Sequence, residues 1–197
     1  MGLRTYKGET DMQEEFLFAG FGGQGVMFVG QLLAYAAMDY GKEVTWIPSY
    51  GPEMRGGTAH CYVVISDKAI GSPVVSRPGT GIIFNIPSFE KYEPIIKPGG
   101  LLVVNSSMVP EAATQRQDLR LLKVPATDMA SEKMGNTRLA NVIILGALLA
   151  AHSIMPVDFM KEALSHHIPA HRRNLLDSNY QALEMGAEFA VQQMAKS

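Results

Sequence analysis

The sequence predicts an α/β domain, in which a mostly parallel β-sheet is flanked by helices and followed by a helical C-terminal third. An apolar strand at Phe16–Ala19 leads through a glycine-rich turn into an amphipathic helix, Gln24–Tyr40, which Gly41 ends. A second apolar strand, Val44–Ile47, follows at once. Because strand–helix–strand units form parallel pairs, we expect these two strands to lie side by side. Helical patterns replace strands after Val124.

The rest of the sheet is predicted from short apolar runs between turn residues, which bring it to about six strands. The runs are Ala59–Ser66, Gly81–Asn85, Leu101–Asn105 and Leu119–Val124, with Ala69–Val75 as the return strand of a hairpin. A brief helix is expected around Ser88–Glu93. The helices of the last third are Thr127–Met134, Asn136–His152, Pro156–His167 and Arg173–Ala195.

The helix Asn136–His152 is apolar on most sides, which predicts a place at the centre of the core. Its apolar stretch, Leu139–Ala151, is interrupted by Asn141 and is shorter than the ~20 residues that a membrane span needs. The polar N-terminal residues contain no apolar signal core. We therefore expect a cytoplasmic protein, with residues 1–14 as a disordered leader and residues 15–197 as a single α/β domain.

Charge and cysteine content exclude several classes of function. The net charge is −2 and the pI is about 6.2, so neither nucleic acid nor a membrane is an expected partner. Cys61 is the only cysteine, and one thiol cannot hold an iron–sulfur cluster or a cysteine-rich zinc site. We expect it to be a small buried hydrophobe in its strand. His167, His171 and the following Arg172 and Arg173 are interpreted as a surface turn.

The turn between the first strand and helix fits the pattern G-x-G-x-x-G. Glycines allow the backbone to approach a ligand, and the helix that follows presents N–H groups and a positive dipole end to an anion. The candidate cofactor-binding residues here are Gly20, Gly22, Gly23, Gln24 and Gly25. A nicotinamide or flavin site also needs an acid at the end of the second strand, whereas Glu43 lies at its other end. Anion binding and simple close packing of helix on strand are both open alternatives.

The loop Ser49–Gly57 follows the carboxyl end of the second strand, where open parallel sheets bind ligands. Arg55 is suited to a phosphate or carboxylate, while the alternative is a surface pair between Glu53 and Arg55. The candidate contact residues of this loop are Tyr50, Gly51, Glu53, Met54, Arg55, Gly56 and Gly57.

These motifs resemble those of the gamma subunit of 2-oxoacid:ferredoxin oxidoreductases. The resemblance rests on G-x-G-G-Q-G at Gly20–Gly25, S-Y-G-P-E-M-R-G-G at Ser49–Gly57, T-A-x-C at Thr58–Cys61, and Ser72-Pro73. It extends over most of residues 16–150. Within the family, the unbroken nonapeptide looks most similar to the 2-oxoglutarate type, with the 2-ketoisovalerate and pyruvate types as close competitors.

The resemblance implies oxidative decarboxylation of a 2-oxoacid with coenzyme A, giving acyl-CoA, CO2 and reduced ferredoxin. It implies alpha, beta and, as a further candidate, delta subunits as partners, with ferredoxin reached through the complex. Thiamine diphosphate, iron–sulfur clusters and coenzyme A are then expected in the assembled complex, and none is held by this chain alone. No catalytic residues are predicted, and the chain has a structural and cofactor-contacting role. The alternatives are a stand-alone dinucleotide-binding oxidoreductase and a purely architectural assembly subunit.

Overall fold

The computed structural model describes residues 12–50, 58–109 and 116–196. The strands are β1 (Gln13–Phe21), β2 (Glu43–Tyr50), β3 (Thr58–Ser66), β4 (Thr80–Ile83), β5 (Leu101–Asn105) and β6 (Arg120–Val124). The helices are α1 (Val26–Asp39), α2 (Ile86–Tyr92), α3 (Ala126–Met134), α4 (Ala140–His152), α5 (Val157–His167) and α6 (Leu176–Met194). Short 3-10 helices span Glu93–Ile95, Thr137–Leu139 and Ala170–Leu175. The predicted class, a sheet flanked by helices with a helical C-terminal region, is confirmed.

The six strands form one sheet in the order β2-β3-β1-β4-β5-β6. β1, β4, β5 and β6 are parallel neighbours, whereas β3 is antiparallel to both β1 and β2. The predicted side-by-side pairing of the first two strands is therefore wrong, because β3 returns directly from β2 and lies between them. Since β3 opposes both, β1 and β2 still run in the same direction, and their carboxyl ends lie at the same edge of the sheet.

Two further segments differ from the sequence prediction. The predicted hairpin strand Ala69–Val75 is wrong: no strand lies between β3 and β4, and Val74 is 75% exposed. Gly71 and Pro73 interrupt the run, and the exposed side chains give it no apolar face to bury. At the other end, Gln13 and Glu14 belong to β1 rather than to the predicted leader, and residues 1–11 lie outside the described residues.

Successive residues of β1 alternate between two apolar clusters, as the period of a strand requires. Phe16 and Phe18 belong to a large cluster with α1 and α3–α6, and Leu17 and Ala19 belong to a smaller one with Tyr92 of α2. α4 lies at the centre of the larger cluster, and every residue from Ala140 to Leu149 is buried. This confirms the predicted central helix.

α4 and α6 cross in direct backbone contact. A Cβ atom built on Gly146 would lie 2.0 Å from the Leu183 carbonyl oxygen, and one on Gly186 would lie 1.8 Å from that of Ile143. Neither position therefore accepts a side chain without separating the helices. The contact holds the segment that precedes α6 over the beginning of α4, which matters for the site described next.

Candidate ligand site at the glycine turn

The chain reverses its direction of travel across the sheet between β1 and β4. β1 continues through α1 to β2 on one side, and β4 continues through α2 to β5 on the other. In open sheets, ligands bind in the crevice outside the carboxyl ends of two such strands. The glycine turn after β1 and Asn85 after β4 both lie at this point, so the sequence motif occupies the ligand position of the fold.

The side chain of Gln24 fills the strand side of the turn. Its Oε1 accepts hydrogen bonds from the Phe21 backbone N–H at 2.7 Å and from Asn85 Nδ2 at 3.0 Å. Its Nε2 donates to the Phe84 carbonyl oxygen at 3.4 Å. Gly20 is buried directly beneath the Gln24 amide. A Cβ built on Gly20 would lie 2.7 Å from Gln24 Oε1. Gly20 and Gln24 thus join the end of β1 to the end of β4.

The helix side of the turn is more open. Gly22 and Gly23 are exposed, and a Cβ built on Gly23 would meet no atom within 4 Å. Gly25 caps α1 in the left-handed conformation, with φ +76° and no side-chain hydrogen bond at the cap. The first N–H groups of a helix have no partner within the helix, so this end of α1 favours an anion.

A cleft of about 400 Å³ lies beside this end of α1. The lining residues that matter for its chemistry are Gly23, Gly25, Arg138, Asn141, Arg172 and Asn179. A second cavity of about 210 Å³ also borders Gly23 and Arg138. The described residues that line the two cavities include two arginines and no aspartate or glutamate, so the cavities are positively charged.

Asn141 of α4 is a buried polar side chain directed at the glycine turn. It is 8% exposed, and its Nδ2 would lie only 1.8 Å from a Cβ on Gly25. Its Oδ1 is buried and has no hydrogen-bond donor within the described part of the chain. Leaving a buried polar group without a partner costs about 1–3 kcal/mol, so the position requires an explanation. The sequence shows Asn141 only as an interruption of an apolar helix.

The two arginines are placed by short 3-10 helices that the sequence does not predict. Gly135 ends α3 with φ +63°, and Asn136 Oδ1 accepts from the backbone N–H of Arg138 at 3.1 Å. Arg172 and Arg173 lie in the 3-10 turn Ala170–Leu175, so the predicted helix Arg173–Ala195 begins later, at Leu176. Arg172 lines the cleft and Arg173 does not.

The described residues that flank the segment 51–57 lie at the same edge of the sheet. Tyr50 is the last residue of β2 and is 66% exposed, and Thr58 of β3 pairs directly with Phe21 in the glycine turn. Tyr50 and Thr58, the described residues on either side of this loop, therefore lie at the same edge of the sheet as the turn. The other candidate residues of the loop, Gly51, Glu53, Met54, Arg55, Gly56 and Gly57, lie outside the described residues.

The structure also departs from a dinucleotide-binding domain. Glu43 is the first residue of β2, and β2 is separated from β1 by β3. An acid that binds a ribose beside the glycine turn comes from the carboxyl end of the adjacent second strand. Among the described residues, the strand beside β1 on this side is β3 rather than β2, and the acid of β2 lies at its amino end.

Cys61 is completely buried, and burial raises the pKa of its thiol to about 12. Its Sγ would lie 2.4 Å from a Cβ on Gly30, so the thiol packs directly against α1 as the predicted small hydrophobe. His167 Nε2 lies 2.8 Å from Asp39 Oδ2, and its ring stacks on Tyr35. No helix in the described ranges has the length and apolar character to cross a bilayer.

Comparison with known proteins identifies the family. Residues 15–189 match the model of the pyruvate ferredoxin/flavodoxin oxidoreductase family. The 2-oxoglutarate synthase subunit KorC of Methanocaldococcus jannaschii is 34% identical, covering 93% of this chain and 97% of the relative. The ketoisovalerate oxidoreductase subunit VorA of Methanothermobacter thermautotrophicus is 38% identical over 87% of this chain, and the chain spans only 35% of that relative.

Solved structures of members of this family have the same fold as this chain. The keto/oxoacid ferredoxin oxidoreductase gamma subunit of Geobacter sulfurreducens is 28% identical with a TM-score of 0.78, covering 91% of this chain and 99% of that one. The 2-oxoglutarate:ferredoxin oxidoreductase of Magnetococcus marinus shares the fold with a TM-score of 0.83 at 24% identity, and the match covers 91% of this chain and 31% of that one. The chain therefore belongs to the pyruvate ferredoxin/flavodoxin oxidoreductase family and resembles its gamma subunits, as the sequence motifs predicted.

Proposed function

We propose that this chain is the gamma subunit of a multi-subunit 2-oxoacid:ferredoxin oxidoreductase in the cytoplasm. The complex converts a 2-oxoacid and coenzyme A to acyl-CoA, CO2 and reduced ferredoxin. One observation carries the proposal: the family match spans residues 15–189, and its glycine turn lies at the switch point of the sheet. Tyr50 and Thr58, which flank the motif segment 51–57 in the sequence, lie at the same edge of the sheet as that turn.

The chain contacts cofactors and partner subunits but does not perform the chemistry alone. Gly22, Gly23 and Tyr50 are exposed at the carboxyl edge of the sheet, where an alpha or beta subunit reaches them. Thiamine diphosphate and the iron–sulfur clusters belong to the partner subunits. The single thiol, on Cys61, is buried and protonated, so it is unsuited to ligate iron.

We propose 2-oxoglutarate as the 2-oxoacid. Support comes from the KorC subunit of Methanocaldococcus jannaschii, which aligns with this chain over nearly its whole length. The VorA match is comparable in identity, so 2-ketoisovalerate is the substrate to compare.

Reconstitution tests the proposal directly. This chain is co-expressed with candidate alpha, beta and delta subunits from the same organism and purified through a tag on this chain. We expect no activity from the chain alone and coenzyme A-dependent reduction of ferredoxin by the complex, fastest with 2-oxoglutarate among 2-oxoglutarate, 2-ketoisovalerate and pyruvate. Full coenzyme A-dependent activity in a complex that lacks this chain would contradict the proposed role.

A purely architectural role is the second candidate, and one observation favours it. On the strand side of the turn, the Gln24 side chain forms its hydrogen bonds with residues of this chain, as expected for a residue with a purely structural role. Arg55→Ala separates the two roles. A cofactor-contacting loop predicts a higher coenzyme A requirement or weaker assembly without unfolding, whereas an architectural role predicts an unchanged coenzyme A requirement. The measurement is the KM for coenzyme A of the reconstituted complex, with the thermal unfolding of the chain as control.

A further inference from the structure

We infer that the outer edge of β6, with the apolar groove between β6 and the end of α6, binds an extended acidic segment of a partner subunit as an added β-strand. None of the residues on this surface belongs to the glycine turn or to the sequence motifs of the family resemblance. The inference rests on the proposed function only for the identity of the partner, which is another subunit of the same complex.

The first line of support is the row of backbone groups on the outer side of β6. β6 ends the sheet, and no described strand pairs with that side. The backbone N–H of Arg120 donates to the Gly100 carbonyl oxygen at 2.9 Å, so the backbone groups of Arg120 face β5. Successive residues of a strand direct these groups to opposite sides, so those of Leu121 and Lys123 face outward. Such a row is a template for pairing with another strand.

The second line of support is a groove of about 610 Å³ beside this edge. It borders residues 120–123 of β6, and its apolar lining includes Leu101, Leu122 and Met194. Met194 is 45% exposed, and Val191, three residues earlier on α6, is 55% exposed. In strand addition, main-chain hydrogen bonds supply affinity, and pockets for alternate side chains supply specificity. The outer edge of β6 provides the first and the groove provides the second.

The third line of support is charge, which selects the occupant. Arg120 and Lys123 line the groove, and no aspartate or glutamate lines it among the described residues. Antiparallel pairing with a second copy of β6 would bring two such sets of cations together, and like charges on paired strands are destabilising. An acidic segment complements the same cations. The charge therefore favours a different polypeptide over a second copy of this chain.

The opposite edge of the sheet is protected in a way that β6 is not. β2 contains Pro48, which has no backbone N–H to donate to a further strand. β6 contains no proline and has the apolar groove beside it. The chain thus blocks pairing at one edge and leaves the other open to a strand of opposite charge.

Hydrogen–deuterium exchange, resolved to single residues by electron-transfer fragmentation, tests the inference on the isolated chain and on the reconstituted complex. We expect the amides of Leu121 and Lys123 to exchange at least about tenfold more slowly in the complex, because an added strand gives them acceptors. The amide of Arg120 is the internal control, since it is already bonded to β5, and its rate should change by less than about twofold.

A competition experiment tests the charge argument. Native and variant chains with different tags are co-expressed with the same partner subunits, and mass spectrometry of the purified complex gives their ratio. We expect Lys123→Glu to be incorporated about tenfold less than the native chain, because it places an acid beside an acidic segment. Lys133→Glu is the matched control: it makes the same change on the exposed side of α3, outside the groove, and should be incorporated within about twofold of native. Circular dichroism verifies that each variant is folded.

Unchanged exchange at Leu121 and Lys123 in the complex would overturn the inference, as would equal incorporation of Lys123→Glu and the native chain. Slow exchange already present in the dilute isolated chain would assign the edge to another segment of the same chain, and protection that grows with concentration would assign it to a second copy. Either result overturns the partner assignment. Coenzyme A-dependent activity judges the proposed function separately, because an active complex with an unprotected β6 supports that function and refutes this inference.

Discussion

The two sides of the glycine turn differ in how their polar groups are satisfied. On the strand side, Gln24 receives hydrogen bonds from Phe21 and Asn85 and donates one to Phe84. On the helix side, the Gly25 cap has no side-chain hydrogen bond, and the buried Asn141 Oδ1 has no partner among the described residues. A single G-x-G-G-Q-G motif thus combines a structural half with a half that is open to a ligand.

This division explains why the motif alone is ambiguous. The two alternatives for the turn, anion binding and close packing, concern different residues. Gly20 and Gln24 pack, while Gly22, Gly23 and Gly25 leave the backbone accessible. Of the five candidate residues in the turn, Gln24 is the one with a side chain, and both ends of its amide are hydrogen-bonded within the chain.

The largest expected effect comes from adding one methyl group on the helix side. Gly25→Ala forces a left-handed conformation and a collision with Asn141, which together should lower the free energy of unfolding by about 3 kcal/mol. Gly23→Ala shares the positive φ but meets no atom within 4 Å, so we expect a loss of only about 1 kcal/mol. Urea denaturation measures both.

A double-mutant cycle sharpens this result. Asn141→Ala in the Gly25→Ala background removes the atom that collides, so the pair should be coupled by about 1–2 kcal/mol. Additive effects of the two substitutions would show that the contact does not hold the turn as described.

The strand side should respond as a stability element. Gln24→Leu removes the acceptor of the Phe21 N–H and of the Asn85 amide, which should destabilise the chain by about 2 kcal/mol. Gln31→Leu is the matched control, since Gln31 bonds only to exposed Tyr35 within α1 and should change stability by less than about 0.5 kcal/mol. Equal effects in denaturation would contradict the structural role of Gln24.

The opposite edge of the sheet gives a smaller and pH-dependent effect. His152 hydrogen-bonds Glu14 at 3.3 Å and lowers the pKa of that carboxyl below its ordinary 4.5. A lowered pKa stabilises the fold above the ordinary value, and the contribution is lost as the pH falls below it. Glu14→Gln should therefore cost less than about 1 kcal/mol near neutral pH, and the difference from native should shrink below pH 4.5. A difference independent of pH in urea denaturation would contradict this.

The sequence predicts the parts of this fold that depend on local patterns. The glycine turn, α1, the buried run of α4 and the exact bounds of β5 follow from periodicity and turn residues. The place of β3 between β1 and β2 does not follow from these patterns. A strand that pairs antiparallel with the preceding strand and a strand that pairs elsewhere in the sheet have the same alternation of apolar and polar residues. The edge at which β2 ends was nevertheless predicted correctly, since inserting β3 leaves the direction of β2 unchanged.

The sequence predicts only those residues of the candidate site that are close to one another along the chain. The turn and the loop around Tyr50 lie at one edge, as expected from the order of strands and helices. Asn141, Arg138 and Arg172 reach the turn only because α4 and α6 pack through Gly146 and Gly186. The one local sequence signal for these three residues is Asn141 itself, a polar residue within the apolar run of α4.

The most direct test of the division is to measure the free energy of unfolding of the two variants that remove an amide on either side. Gln24→Leu should lose about 2 kcal/mol, because the Phe21 N–H and the Asn85 amide lose their acceptor. Asn141→Leu should change stability by less than about 1 kcal/mol, because the Asn141 Oδ1 has no hydrogen bond to lose among the described residues. The reverse order, with Asn141→Leu the more destabilising variant, would contradict the account.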